Sequence, residues 1–190
     1  MAARIGKFKL SPPGGDVIGR RRLDTHILAL RALGAEVEYD RGFMFNANGL
    51  HGADILLDEA SVTATENAIM AAVRAKGETV LRNAASEPHV QDLCHFLNGL
   101  GAQIEEIGSN TLRIQGVQKL HGGEFTIGPD YLEVMSYVGA AAVTHGTVRV
   151  KNAGVKNLQM IAHIFERMGV RWQVEGDDLI VPADQELKVI

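Results

Sequence analysis

The chain has 190 residues, of which 46% are hydrophobic, and its 23 acidic and 19 basic side chains give a formal charge of −4. This length suits one large domain or two small ones, and the composition excludes a disordered chain. There is no apolar run of transmembrane length and no secretory signal, and the acidic balance argues against wholesale nucleic-acid binding. The single cysteine suits a reducing compartment, so we expect a cytoplasmic globular protein without membrane or nucleic-acid contacts.

The first distinctive segment is SPPGGDVIGRRR at 11–22. Its three glycines permit unusual backbone angles, and Arg20, Arg21 and Arg22 offer three fixed positive charges for a phosphate or a carboxylate. Asp16 is the only carboxylate of the segment. Because loops on a rigid scaffold often carry function, this segment is a candidate site, and a tolerated surface insertion is the alternative.

A helix is predicted directly after this segment, and its apolar stripe occurs three times in the chain. The stripe at 23–33 has the 0, 3, 7, 10 spacing of one helix face, and it returns at 90–100 and 158–168. His26 takes a stripe position that is apolar in the other two copies, so it either lines a ligand cleft or is a satisfied, half-buried histidine. Each helix is predicted to end at a glycine that can adopt the left-handed C-cap conformation: Gly34, Gly101 and Gly169. The first two of these glycines are 67 residues apart and the last two are 68 residues apart.

Two further helices are predicted at 61–77 and 130–146, where small residues dominate and Ser61 and Asp130 are suitable N-caps. Each is followed by a strand, a stripe helix and two more strands. A further strand is expected in each of the paired stretches LHGADILL and LHGGEFTI. The chain is therefore predicted to have an α/β fold built from repeated βαβαββ-type units of about 68 residues.

The repeat divides the chain into three units. Residues 1–60 form an incomplete unit, because Gly6 already matches Gly77 at the end of a leading helix, and residues 61–129 form a full one. Residues 130–190 form the next unit, after a Gly-Pro step. Compared with the other copies, the first unit carries four extra residues inside the glycine- and arginine-rich segment.

Other candidate residues stand at predicted helix starts. Ser61, Val62 and Thr63 would begin a helix whose free N–H groups can hold an anion, although any serine N-cap has this pattern. Glu87 would open another helix, where an acid favours the helix dipole and needs no further role. Cys94 adjoins an apolar stripe and is interpreted as a core residue. The seven histidines show no metal-ligand spacing, so we predict no metal.

The motifs PPGGDVIG, DTH, SVTATEN and NAASEP, with the arginine run, make the chain over roughly 4–184 resemble the enolpyruvyl transferases. The resemblance implies two lobes, each of three βαβαββ-type units in an inverted α/β barrel, in chains more than twice this length. By this resemblance, residues 1–129 end the first lobe and 130–190 begin the second. It also implies transfer of the enolpyruvyl group of phosphoenolpyruvate to the 3-hydroxyl of UDP-N-acetylglucosamine, with release of phosphate and no cofactor, in peptidoglycan synthesis.

The resemblance gives Asp16 a catalytic role. Family members usually carry a cysteine at this loop position, which acts as the acid that protonates enolpyruvate. Some carry aspartate, and the resemblance implies that these resist fosfomycin, which alkylates the thiol. The reaction needs such an acid for the methylene carbon and cations for the phosphate and carboxylate.

Position matching also implies a nucleotide-sugar site in this chain. Arg21, Leu23 and Asp24 would lie against the uridine, and Glu87 matches an acid of the family's cleft. Two departures are Arg22, where many members have a proline on the uracil, and Glu59, where some have a lysine near the diphosphate. The full set of implied substrate-binding residues is Arg21, Arg22, Leu23, Asp24, Thr25, His26, Ser61, Val62, Thr63 and Glu87.

Three interpretations stay open from the sequence. The first is a part of the nucleotide-sugar transferase, inactive alone because the family's phosphoenolpyruvate-binding lysine, most of its arginines and its proposed base fall outside this chain. The second is a non-catalytic module of the same fold that binds a nucleotide or a partner protein. The third is a shikimate-pathway transferase, disfavoured because the PGG acid loop belongs to the nucleotide-sugar branch. Exposed lobe surfaces would also allow the chain to self-associate.

Overall fold

A computed structural model of the protein describes residues 1–12 and 23–188, which form two compact units. The first runs from Met1 to Phe125 and the second begins at Thr126. The sequence division at 129/130 between two lobes stays an interpretation of the repeat.

The elements follow the predicted order of helix, strand, helix, strand, strand in each repeat. The longest described helix has 13 residues, and no helix in the described ranges is long and apolar enough to cross a bilayer. The first unit contains α1 (Ala2–Ile5), β1 (Lys7–Leu10), α2 (Asp24–Ala32), β2 (Glu36–Tyr39), β3 (Phe43–Asn46), β4 (Asp54–Leu56), α3 (Val62–Ala72), β5 (Glu78–Arg82), α4 (Pro88–Gly99), β6 (Gln103–Glu105) and β7 (Thr111–Gln115). The second contains α5 (Tyr131–Val143), β8 (Val148–Val150), a 3₁₀ turn (Val155–Asn157), α6 (Gln159–Arg167), β9 (Gln173–Glu175) and β10 (Asp178–Val181).

The three repeats share one sheet topology. In each, the first strand pairs antiparallel with the third, which also pairs antiparallel with the second, in the orders β1-β3-β2, β5-β7-β6 and β8-β10-β9. Strand β4 adds to the middle sheet by pairing parallel with β5. The predicted repeat is thus present in the hydrogen bonding as well as in the element order.

The stripe helices end as their glycines predict. Gly34, Gly101 and Gly169 have φ angles of 95°, 97° and 82°, in the left-handed region that favours glycine. The residue after each glycine donates its N–H to a carbonyl five positions earlier, at 3.0 Å in all three copies. This hydrogen bond closes the last turn of the helix and turns the chain towards the following strand.

Each unit has its own apolar core. In the first, six large side chains on α2, β4, β5 and β7 or at their ends are at most 2% exposed: Leu33, Ile55, Leu57, Leu81, Leu112 and Ile114. In the second, Val138, Leu179 and Val181 are completely buried. No residue of α6 itself is buried, so its predicted stripe is only partly covered.

One strand prediction is wrong. The stretch LHGGEFTI was expected to mirror LHGADILL, whose strand β4 pairs with β5. Residues 121–130 contain no strand and are exposed throughout. A strand needs hydrogen bonds to a neighbouring strand, and none pairs with 124–127 within the described residues.

The thiol of Cys94 should be unreactive in the folded protein. Cys94 is fully buried in the first core, and burial raises the pKa of its thiol to about 11. Because this is the only cysteine of the chain, a disulfide-exchange reagent at pH 8 should titrate no thiol in the native state and one in guanidinium chloride. Native reaction at the rate of an exposed thiol would contradict this assignment of Cys94 to the core.

Candidate functional site

The candidate site begins where α2 packs against α3. On α3, Ser61 is the N-cap residue, and its hydroxyl oxygen accepts a hydrogen bond from the backbone N–H of Ala64 at 3.4 Å. One turn further, the buried hydroxyl of Thr65 donates to the Ser61 carbonyl at 2.8 Å and accepts from the N–H of Ala85 at 3.0 Å. The start of α3 is thereby fixed to the loop that precedes α4.

His26 on α2 lies against the exposed side of α3. Its Nδ1 atom is 2.7 Å from Nδ2 of Asn67, and its Nε2 atom is 3.4 Å from Oγ1 of Thr63. Thr63 and Asn67 are four residues apart, so both face the imidazole from one side of the helix. The structure thus brings two of the predicted site residues, His26 and Thr63, together.

Thr25 lies beside His26 and joins α2 to the segment before α3. It is 2% exposed, and its hydroxyl donates to Oδ1 of Asp58 at 2.5 Å, with Oε1 of Glu59 at 3.5 Å. The Thr25 side chain therefore holds the two elements in place, and its role in substrate binding stays a prediction.

The contacts described so far form one group of side chains, here called the α2–α3 cluster: Thr25, His26, Asp58, Glu59, Thr63 and Asn67. The electrostatics of this cluster favour a neutral histidine. Burial lowers the pKa of His26 below its usual value of 6.5, and the carboxylate of Glu59 opposes that shift to a smaller extent. The imidazole is therefore an uncharged hydrogen-bonding group at neutral pH.

A cavity of about 380 Å³ adjoins the cluster. Leu23 and His26 line it on α2, Asn67 lines it on α3, and apolar side chains such as Phe8 and Phe45 form most of the remaining wall. The polar groups are thus few and confined to one part of an apolar surface.

The remaining predicted site residues within 23–188 make none of the side-chain contacts described above. Asp24 is exposed at the start of α2, and the side chain of Val62 packs against the first core, so that its backbone is the part available to a ligand. Glu87 is the N-cap residue of α4, and its buried Oε2 atom has no hydrogen-bond partner among residues 1–12 and 23–188. The predicted residues Asp16, Arg21 and Arg22 lie outside the described residues.

Two residues of this cluster were missed by the sequence reasoning. Asn67 had a detectable signal, because it lies one helical turn after the candidate Thr63. Asp58 had none, because nothing in the sequence pairs it with Thr25. Within the described parts of the chain there is no cluster of three or more metal-binding side chains.

A family model of EPSP synthase (3-phosphoshikimate 1-carboxyvinyltransferase) matches residues 1–190 of the chain. The chain belongs to this family. The family is one of transferases, so the resemblance to enolpyruvyl transferases seen in the loop and helix motifs is confirmed.

Curated relatives agree with this membership. The chain is 56% identical over 189 residues to the UDP-N-acetylglucosamine 1-carboxyvinyltransferase of Treponema denticola. It is 58% identical over 189 residues to the protein of that name in Bradyrhizobium diazoefficiens. Each match covers 100% of this chain but 44% of the relative, so the chain spans less than half the length of these curated relatives.

Solved structures confirm the predicted fold. The enolpyruvyl transferase NikO from Streptomyces tendae has a TM-score of 0.79 at 25% identity, over 95% of this chain and 44% of NikO. The EPSP synthase of Acinetobacter baumannii has a TM-score of 0.65 at 20% identity, over 97% of this chain and 44% of that one. The second likeness concerns the fold alone.

Proposed function

We propose that this chain forms part of an enolpyruvyl transferase that moves the enolpyruvyl group of phosphoenolpyruvate to the 3-hydroxyl of UDP-N-acetylglucosamine, with release of phosphate. The observation that carries the proposal is the identity of 56% with a relative named for this activity, over the whole chain. In this view residues 1–129 end one lobe, 130–190 begin the other, and the protein acts in peptidoglycan synthesis in the cytoplasm.

The α2–α3 cluster supplies the nucleotide-sugar side of this reaction. The first turn of α3 has backbone N–H groups without partners inside the helix, and such groups favour anionic oxygens. A neutral His26 and the exposed hydroxyl of Thr63 add side-chain hydrogen-bonding groups next to that turn. We assign this turn to the diphosphate, and Arg21, Arg22, Leu23 and Asp24 to the uridine.

The acidic residues before α3 make this site weaker for an anion. Glu59 lies 3.5 Å from the Thr25 hydroxyl, where the resemblance implies a lysine in some members. A carboxylate near a diphosphate raises the energy of the bound state, although solvent screens an exposed charge. Positive charge from Arg20, Arg21 and Arg22 is therefore needed to hold the nucleotide.

Titration calorimetry of the 190-residue chain with UDP-N-acetylglucosamine tests the assignment. We expect a dissociation constant weaker than about 1 μM, because the chain spans under half of its relatives' length and buries the ligand incompletely. Arg21→Ala should weaken binding by about tenfold or more, the usual effect of losing a charged hydrogen bond. Arg74→Ala, which removes an equal charge just beyond the far end of α3, is the matched control and should bind like the wild type.

Sub-micromolar affinity, no binding at millimolar ligand, or equal affinities for wild type and Arg21→Ala would each count against this mapping. The second candidate function is a non-catalytic module of the same fold that binds a nucleotide or a partner protein. A nucleotide-binding module has no need of the sugar, so UDP alone would then bind as tightly as UDP-N-acetylglucosamine. Tighter binding of the sugar nucleotide supports the transferase.

A further inference from the structure

The imidazole of His26 is held at both nitrogens by one face of α3. Asn67 presents Nδ2 to Nδ1 at 2.7 Å, and Thr63 presents Oγ1 to Nε2 at 3.4 Å. The first contact is short and the second is near the upper limit for a hydrogen bond. Asn67 is therefore the stronger of the two partners.

The Asn67 contact determines where the imidazole proton lies. A neutral imidazole has one donor and one acceptor nitrogen, whereas an amide nitrogen only donates. With Nδ2 of Asn67 donating to Nδ1, the proton of His26 must be on Nε2, which then donates to the hydroxyl oxygen of Thr63.

The position of this proton decides what the Thr63 hydroxyl can do. If it accepts from His26, its own hydrogen is free to be donated to another acceptor. In the opposite tautomer Nε2 is an acceptor, and the hydroxyl would donate its hydrogen to the ring instead. The two tautomers thus make Thr63 a donor or a non-donor towards a ligand.

We propose that Asn67 is a positioning residue that holds His26 in its neutral Nε2–H tautomer and so directs the Thr63 hydroxyl, as a donor, towards a ligand oxygen. The order of donation is Asn67 to His26, His26 to Thr63, and Thr63 to the ligand. That the ligand oxygen belongs to the diphosphate of a sugar nucleotide rests on the proposed function. The direction of the hydrogen bonds does not, because it follows from the unliganded cluster.

The surroundings agree with a neutral ring. Burial lowers the pKa of His26, while Glu59 acts in the opposite direction. The donated hydrogen bond from Asn67 also favours the neutral form, because protonated Nδ1 could not accept it. Among the described residues, the titratable side chains of α2, of the segment before α3 and of α3 itself, apart from His26, are Asp24, Arg31, Asp58, Glu59 and Glu66.

The decisive variant is Asn67→Asp, studied in the unliganded 190-residue chain. Its carboxylate has nearly the size of the amide but only accepts hydrogen bonds, so it should move the proton of His26 to Nδ1. It should also raise the pKa of His26, because a carboxylate next to the ring stabilises the charged imidazolium. Because Asn67 is exposed, the fold should tolerate the change.

Nitrogen-15 NMR of the histidine rings measures both effects, since the two tautomers have different ring-nitrogen shifts. We expect Nε2–H in the wild type and Nδ1–H in Asn67→Asp, with the higher pKa in the variant. Met70→Leu, which changes an apolar residue lining the same cavity, is the control and should leave the tautomer and pKa unchanged. A wild-type Nδ1–H tautomer, or equal tautomers and pKa values in wild type and Asn67→Asp, would overturn the proposal.

Calorimetry with UDP-N-acetylglucosamine then separates this inference from the proposed function. Because the new carboxylate can itself repel a diphosphate, Asn67→Asp is also measured in a Thr63→Val background, which has no hydroxyl to direct. If Asn67→Asp switches the tautomer and weakens binding at least fivefold more in the wild-type background than in the Thr63→Val background, the hydrogen-bond relay is supported. If it weakens binding equally in both backgrounds, the relay is refuted. If the tautomer switches but affinity is unchanged, Asn67 does not act on the ligand and the relay is refuted. If the wild type does not bind, the proposed function fails. The NMR result still decides which ring nitrogen of His26 carries the proton, and therefore the direction of the hydrogen bonds from Asn67 to Thr63.

Discussion

Replacing Asp16 by asparagine should lower the turnover of a transferase that carries this segment by about 10²–10⁴-fold, the range that a general acid usually contributes. The amide cannot deliver a proton to the methylene carbon of enolpyruvate, although its size and polarity are close to those of the acid. Affinity for UDP-N-acetylglucosamine should stay nearly unchanged. Steady-state kinetics and calorimetry on a chain of the relatives' full length measure the two effects separately.

The companion variant Asp16→Cys should keep activity, because the resemblance makes a thiol the more common acid at this position. It should also create sensitivity to fosfomycin, since the thiol that this compound alkylates would then be present. Within the 190 residues the sole cysteine, Cys94, is buried, and burial raises the pKa of its thiol. We therefore propose that the parent resists fosfomycin.

The relative activities of the two variants distinguish a catalytic role of Asp16 from a structural role in the loop. Aspartates in turns often accept backbone N–H bonds, and asparagine makes similar contacts. If Asp16 only shaped the loop, Asp16→Asn would be mild and Asp16→Cys would be the more damaging change. If Asp16→Cys is less active than Asp16→Asn, Asp16 is therefore not the catalytic acid.

Gly116→Ala should destabilise the first unit by about 3 kcal/mol or more. A Cβ atom on Gly116 would overlap the carbonyl oxygen of Ala75 and would lie 3.2 Å from that of Gly77. Both neighbours are backbone atoms between α3 and β5, and the N–H of Gly116 donates to the Gly77 carbonyl at 3.0 Å. Relief of the clash must therefore move the end of β7 away from this turn and break the hydrogen bond.

Gly99→Ala is the matched control for this prediction. Gly99 is exposed on α4, and a Cβ atom added there would meet nothing within 4 Å beyond its chain neighbours and the backbone of its own helix. Alanine favours the helix over glycine by about 0.5–1 kcal/mol, so this variant should be as stable as the wild type or slightly more stable. Guanidinium unfolding of the three proteins gives the comparison. A Gly116→Ala protein within about 1 kcal/mol of the wild type would contradict the close approach.

Much of the fold was predictable because it depends on local chemistry. Glycines at 34, 101 and 169 end their helices with positive φ, and Ser61 and Asp130 cap α3 and α5 with their side chains. These features are determined by neighbours within a few residues, and the repeat shows each of them more than once. The order helix, strand, helix, strand, strand could therefore be predicted in all three units.

The strand expected at 124–127 is absent, which shows that sequence repetition alone is not sufficient to predict a strand. Its counterpart β4 is a strand because β5 lies beside it, with Ile55 paired to Leu81. The similar amino-acid sequence at 121–127 does not provide a neighbouring strand, and this segment is exposed. Pairing is a property of two segments, so one of them alone cannot determine it.

The sequence by itself determined the family, the repeated unit, the ends of its helices, and the candidates His26 and Thr63. Only the tertiary structure decided that His26 meets Asn67, that Thr25 meets Asp58, and that Gly116 lies against Ala75. These pairs are 33–41 residues apart in the chain. Local periodicity and caps act over one or two helical turns, whereas contacts at this separation depend on how α2, α3 and the strands pack, which no local pattern specifies.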